Sequence, residues 1–167
     1  MSIPGSSILT PADLPDLGQR LRAAGQLVVW TNGCFDLLHA GHARSLQAAC
    51  AFGDVLVVGI NSDASVRRLK GPGRPILPAT ERAELLAALR CVDHVVIFDD
   101  DTPEECIQLL HPDVHCKGAD YQPPHGKPIP EAALVEAYGG RVAFLPLVDG
   151  LSTTELIRRV KSLPSEM

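Results

Sequence analysis

Residues 27–52 read LVVWTNGCFDLLHAGHARSLQAACAF: an apolar β-branched run, a loop with Asn and Gly, and an amphipathic stretch. The opening LVVWT (27–31) is too short for a helix and too apolar for a half-exposed strand, so it reads as a buried strand. From Gly41 to Phe52 the residues Leu46, Ala49 and Cys50 recur at helical spacing. The same alternation continues along the chain. VLVVGI (55–60), HVVIF (94–98), 114–117 and 142–145 read as four further strands. Helices are predicted over 11–24 with Thr10 as N-cap, over TERAELLAALR (80–90), and over 103–110, 130–138 and 152–161. In the second of these Thr80 is the expected cap and Leu85, Leu86 and Leu89 the apolar stripe. Buried strands alternating with helices imply a Rossmann-like, doubly wound α/β fold, a parallel five-stranded sheet with helices on both faces. Such sheets bind ligands at the carboxyl ends of their strands, where the strand order reverses. The loops after the first, second, fourth and fifth strands are therefore the ones to search, with the fourth strand expected beside the first.

Composition limits what those loops can serve. The 167 residues are 46% hydrophobic, 21% charged and 4% aromatic, as in one soluble globular domain. A single domain is expected, with residues 1–25 a helical extension and 26–163 the core. With 15 basic against 20 acidic residues the net charge is -5, which leaves no positive surplus for a nucleic-acid backbone. No apolar run approaches the roughly 20 residues of a membrane span, and the first residues lack a secretory signal. A cytoplasmic protein without membrane or nucleic-acid partners is expected. The five cysteines are scattered and form no CxxC pair, so they read as reduced thiols, with no metal site among them. His115 and Cys116 point to opposite faces of their strand and cannot share a metal.

The sharpest chemistry lies in the loop Thr31 to His42. His39 and His42, three apart at a helix entrance, stand where free backbone N–H groups already favour an anion. Gly41 between them lets a ligand approach the backbone. The pattern is neither the dinucleotide GxGxxG nor the Walker A loop. A second cationic group, Lys70 and Arg74 in LKGPGRP (69–75), is read as a mobile loop able to close on phosphate; a solvated basic loop is the plainer alternative. Arg82 in the first turn of its helix opposes the macrodipole, which calls for a phosphate or carboxylate partner. Lys117, Gly118 and Asp120 follow the fourth strand. The block from Asp149 to Thr154 opens the last helix with three hydroxyls, Ser152, Thr153 and Thr154, beside free N–H groups, a second phosphate cradle. Asp36 is expected to pin its own loop by accepting backbone N–H bonds. Asp99, Asp100 and Asp101 read as a solvated loop and a helix start.

His39-Ala40-Gly41-His42 resembles the HxGH signature of the cytidylyltransferase-like nucleotidyltransferases. The segments NGCFDLLHAGH (32–42), GINSDASVRRLKG (59–71), Arg74-Pro75, DTPEE (101–105), PDVHCKGADY (112–121) and DGLSTTELI (149–157) are similar, within that family, to those of D-glycero-β-D-manno-heptose 1-phosphate adenylyltransferases. The resemblance runs from about Gln26 to about Lys161. It implies transfer of AMP from ATP to a heptose 1-phosphate with release of pyrophosphate, magnesium arriving with the ATP, and a homo-oligomer. It further implies that His39, His42 and Lys70 are catalytic. Asn32, Gly33, Cys34, Phe35 and Gly41, with Lys117, Gly118, Asp120 and Ser152 to Thr154, would hold the nucleotide. Asn61, Asp63, Arg74 and Arg82 would hold the sugar phosphate. A CTP-dependent enzyme acting on glycerol 3-phosphate shares the HxGH loop, but Cys34 and Leu147 stand where those enzymes usually have Thr and Arg. A nucleotide-binding module without catalysis is the alternative of another class; the intact His pair argues against it.

Overall fold

The computed structural model describes residues 7–148 and 150–164. Among them six strands build one sheet: β1 (Ser7–Leu9), β2 (Val28–Gly33), β3 (Val55–Asn61), β4 (His94–Phe98), β5 (Val114–Gly118) and β6 (Arg141–Leu145). Their order is β1-β4-β3-β2-β5-β6, and each neighbouring pair runs parallel. The helices are α1 (Leu14–Ala23), α2 (Ala40–Cys50), α3 (Asp63–Lys70), α4 (Ala79–Ala87), α5 (Glu104–Leu110), α6 (Ala132–Ala137) and α7 (Thr153–Lys161). The chain winds outward from β2 in both directions, so the reversal of order falls between β2 and β5. The fourth of the expected strands does lie beside the first.

Strand residues partition between the two faces with the period of two that a pleated strand imposes. Val29, Leu56, Val58 and Ile60 pack under α2 and α4 with Leu46, Ala49, Ala83 and Leu86. Val28, Trp30, Val55 and Val57 face α1, α5 and α6 through Leu14, Leu17, Ile107, Leu110 and Val135. Because both faces are covered, β3 is buried at all seven positions, which is why its sequence shows no polar alternation. Gly59 has a steric reason: a Cβ there would lie 2.4 Å from the Trp30 ring.

The structure corrects several expectations. The sheet has six strands, not five: β1 is three residues at an edge, paired to β4 alone, too short to leave an apolar run. The residues ahead of 26 are thus more than a helical extension, since β1 joins the sheet and Leu14, Leu17 and Leu21 enter the core. Thr10 caps a 3-10 turn, Pro11–Asp13, and the α-helix begins after it. Helix α4 is capped at Pro78, without a side-chain bond, and Leu85 is 45% exposed while Arg82, Ala83, Leu86 and Ala87 are buried. The sequence reading places no helix over 63–70, where α3 stands. Ser62 caps it by accepting the Ser65 N–H at 3.1 Å, and Gly71 ends it at φ 96°. Only Ser65 and Val66 of α3 are buried, so it carries no apolar periodicity to be read. No helix among the described residues is long and apolar enough to cross a membrane.

Candidate active site

At the carboxyl end of β2 the backbone turns through Phe35 at φ 46°, a left-handed conformation. Asp36 follows with its carboxylate buried, but it pins a different loop from its own. It accepts the N–H groups of Ile76 and Leu77 at 2.7 and 3.1 Å and is ion-paired with Arg74. Burial works to raise its pKa, yet Arg74 and the two N–H donors outweigh that and hold the carboxyl below its ordinary range. Arg74 is therefore tethered rather than free on a flap. Lys70, expected on the same loop, is instead the exposed last residue of α3.

His39 is the N-cap of α2, and its Nδ1 accepts the His42 backbone N–H at 3.4 Å. That bond places the ring proton on Nε2, leaving a donor for a ligand. The His39 and His42 rings stack at 3.7 Å with planes 21° apart, and Phe35 lies 5.0 Å from His42. Burial, and then the neighbouring His39, lower the His42 pKa to about 4, against a weaker pull from the Leu37 carbonyl; no well-formed hydrogen bond reaches its buried Nδ1. Burial lowers His39 as well. Both rings are neutral near pH 7, so they act as N–H donors rather than as cations.

The start of α7, more than a hundred residues later, closes on this pair. A Cβ on Gly41 would lie 2.9 Å from the His39 ring and 3.1 Å from Leu151 Cβ, so glycine is what lets the three meet. Thr153 Oγ1 donates to the Leu37 carbonyl at 3.4 Å, and the Ser152 hydroxyl caps α7 by accepting from the Glu155 N–H at 3.0 Å. Of the three expected phosphate hydroxyls, Thr153 thus ties the start of α7 to the loop before α2 and Ser152 caps its own helix, while Thr154 is exposed. Asp149 lies outside the described residues.

The residues expected to hold the sugar phosphate beside β3 form a closed network instead. Arg82 is fully buried and donates to the carbonyls of Leu77, Cys34 and Asn61 and to Asp63 Oδ1, at 2.6 to 3.0 Å. Asp63 Oδ1 also accepts the Ala79 N–H at 2.8 Å, at the first turn of α4. Asn61 Nδ2 donates to Ser65 Oγ and to the Asp100 carbonyl. Arg82 does have the carboxylate partner that its place in the helix called for, but the partner is Asp63 of this chain. Asp101 pairs with Arg68 at 2.9 Å, and Asp99 accepts from Ser62.

At the end of β5 the structure adds one residue that the sequence reading lacks, Glu131. Lys117 Nζ lies 2.6 Å from Glu131 Oε1 and 3.5 Å from Asn32 Oδ1, and His115 Nε2 lies 2.9 Å from the same Glu131 oxygen. Gly118 gives Asp120 room, since a Cβ would fall 2.6 Å from its Oδ1, and Asp120 pairs with Lys127. Glu131 is one of 20 acidic residues, and nothing in its spacing marks it. Cys34 is a raised, neutral thiol owing first to burial, and burial holds Cys106 and Cys116 up at about 12. Among the described residues no three His, Cys, Asp or Glu side chains cluster to hold a metal.

The neutral imidazole pair stands at a helix start beside the reversal of a parallel sheet, the place where open α/β sheets bind ligands, and the family model for cytidylyltransferase-like proteins matches residues 30–159. The chain belongs to the cytidylyltransferase-like family. Among curated relatives, this member is 54% identical over 155 residues to the bifunctional protein HldE of Syntrophotalea carbinolica, covering 93% of the chain and 31% of that protein. It is 51% identical over 162 residues to the HldE of Streptomyces coelicolor, covering 93% of the chain and 34% of that protein. The chain thus spans about a third of the length of the curated relatives it matches. Among solved structures, the lipopolysaccharide core biosynthesis protein of Thermoplasma volcanium GSS1 superposes with a TM-score of 0.59 at 26% identity, over 74% of this chain and 98% of that one.

Proposed function

We propose that this cytidylyltransferase-like protein is an adenylyltransferase that moves AMP from ATP to D-glycero-β-D-manno-heptose 1-phosphate. An oxygen of the sugar phosphate attacks the α-phosphorus, the bond to the β-phosphate bridging oxygen breaks, and pyrophosphate leaves in line. The nucleophile is already an anion, so no general base is needed, and catalysis reduces to alignment and charge stabilisation. The observation that carries the reading is the stacked, neutral His39 and His42 pair under the start of α7. Their N–H groups would donate to the phosphoryl oxygens, with Lys70 offsetting charge as the polyanions approach. Lys117, Asn32 and Thr154 are proposed to meet the nucleotide. Arg82, Asp63 and Asn61 brace the loops around it, and Arg74 acts through Asp36. Magnesium enters as part of the metal-ATP substrate, held by phosphate oxygens and water, as that ion prefers. A cytoplasmic location and a homo-oligomer belong to the same reading.

The choice of heptose over glycerol phosphate is supported by the high identity to the HldE proteins along 93% of the chain. The test is a pyrophosphate-release screen of ATP and CTP against heptose 1-phosphate and glycerol 3-phosphate, with and without magnesium. Turnover is expected only with ATP, magnesium and the heptose together. Strong turnover with CTP and glycerol 3-phosphate, and none with the ATP pair, overturns it.

A further inference from the structure

We propose that Glu131 is a positioning residue for Lys117: a buried carboxylate that fixes the lysine ammonium at the carboxyl end of β5, where the nucleotide binds. The inference rests on the nucleotide reading above and assigns a role to a side chain lying beneath the site.

The geometry is that of an anchored anion. Glu131 is 1% exposed and sits at the start of α6, which covers the Trp30 face of the sheet. One of its oxygens takes both His115 Nε2, from a fully buried ring, and Lys117 Nζ, whose side chain is 12% exposed. A buried carboxylate is costly unless paired, and burial here works to raise its pKa. The bonds from His115 and Lys117 outweigh that and hold the group down at about 2, so it is anionic. His115 is kept neutral, mainly by burial, and must place its proton on Nε2 to donate. No well-formed hydrogen bond reaches its Nδ1, and the Trp30 backbone exerts only a weak pull on the ring.

Lys117 is the last residue but one of β5, and its ammonium also reaches Asn32 at the end of β2, across the gap where the strand order reverses. A lysine on a flexible stem incurs an entropic cost in lost rotamer freedom when a ligand immobilises it. An anion held rigidly behind it removes that cost from the binding step, because the ammonium is already in place. Tyr121, 5.2 Å from the ammonium to its ring centre, limits its motion further.

The test is a double-mutant cycle read by calorimetric titration with magnesium-ATP, with melting temperature measured alongside. Glu131→Gln keeps the shape, and its amide oxygen, standing in the place of Oε1, accepts from both His115 Nε2 and Lys117 Nζ, so the fold survives. It is expected to weaken ATP binding about tenfold, the scale of one charge-assisted hydrogen bond. Lys117→Met is expected to weaken it at least as much, and Glu131→Gln added to Lys117→Met is expected to have no further effect. Glu131→Asp keeps the buried charge but withdraws it by one methylene; a smaller loss in the same direction carries the test if the Gln variant unfolds. Equal losses from Glu131→Gln in both backgrounds, or no loss in either Glu131 variant, overturn the proposal alone. A wild-type protein that binds no ATP overturns the nucleotide reading and the proposal with it.

Discussion

The loops leaving the two central strands, β2 and β3, lie side by side at their carboxyl ends and use their polar side chains in opposite ways. After β2, His39 and His42 stack on each other, carry no charge, and keep ring donors unspent. After β3, Asn61, Asp63 and, from α4, Arg82 spend their polar atoms within the protein. The residue types in the second loop are those that usually grip phosphates and sugar hydroxyls. What separates a site from a scaffold is whether donors are left over, and a sequence does not show that. The network around Arg82 ties the Cys34 carbonyl, in the loop before the histidines, to Asn61 and Asp63, so one loop holds the other in register.

The largest effect that could break this contrast is at Arg82. Arg82→Met removes the fully buried guanidinium from three carbonyls and from Asp63, whose side chain is 34% exposed, and each buried acceptor left unsatisfied costs about 1–3 kcal/mol. Denaturant unfolding should register that loss, with activity falling only as the folded fraction falls. A variant that melts like the wild type but no longer binds the sugar phosphate would make Arg82 a ligand residue and erase the distinction.

Next in size are the imidazoles. His39→Ala or His42→Ala should lower kcat by roughly 10² to 10³, the scale for losing one preorganised oxyanion donor. ATP affinity should change less, since the helix N-termini remain available to the phosphates. Steady-state pyrophosphate release beside thermal melts separates the cases. Variants that lose activity only in proportion to unfolding, or that keep near-normal turnover, would place the pair in the scaffold.

The contrast also explains how much could be read in advance. Apolar runs such as Val55–Asn61 and His94–Phe98 mark buried strands because the helices on both faces leave no polar positions. The His39–His42 loop is legible because its spacing is local. Helix α3 is not, since it is held by a cap at Ser62, a glycine at its end and one buried apolar residue, Val66. The Glu131 carboxylate is less legible still. Its partners His115 and Lys117 are 16 and 14 positions away, on a strand, and only the crossover that packs α6 onto the sheet brings them together.

A third, smaller effect separates two cations that sequence places on one loop. Arg74→Ala strands the buried Asp36 carboxylate and should cost about 1–3 kcal/mol in stability as well as activity. Lys70→Ala, at the exposed end of α3, should leave the melting temperature unchanged while weakening catalysis a few-fold. Identical behaviour of the two variants, in melting and in turnover, would show that the Asp36 tether is immaterial.

The smallest effect is a pH dependence that distinguishes the two loops by titration. Folded His42 stays neutral down to about 4, whereas in the unfolded chain it titrates near 6.5. Between those values the unfolded state binds more protons, so stability rises with pH, and lowering the pH toward 5 removes stability on the order of 1–2 kcal/mol. Burial lowers His39, His94 and His115 as well, so they act in the same direction. Glu131 works in a lower window: its folded value of about 2 against an ordinary 4.5 gives stability that is present above 4.5 and is lost as the pH falls toward 2. Urea unfolding at a series of pH values should therefore show His42→Asn flattening the slope above pH 4, and Glu131→Gln flattening it below pH 4.5. The loop after β3 contains no histidine, so Arg82→Met leaves the imidazole part of the slope in place. A His42→Asn variant that keeps the full wild-type slope would mean that the stacked pair is solvated, and the idea of unspent, desolvated donors after β2 would fail with it.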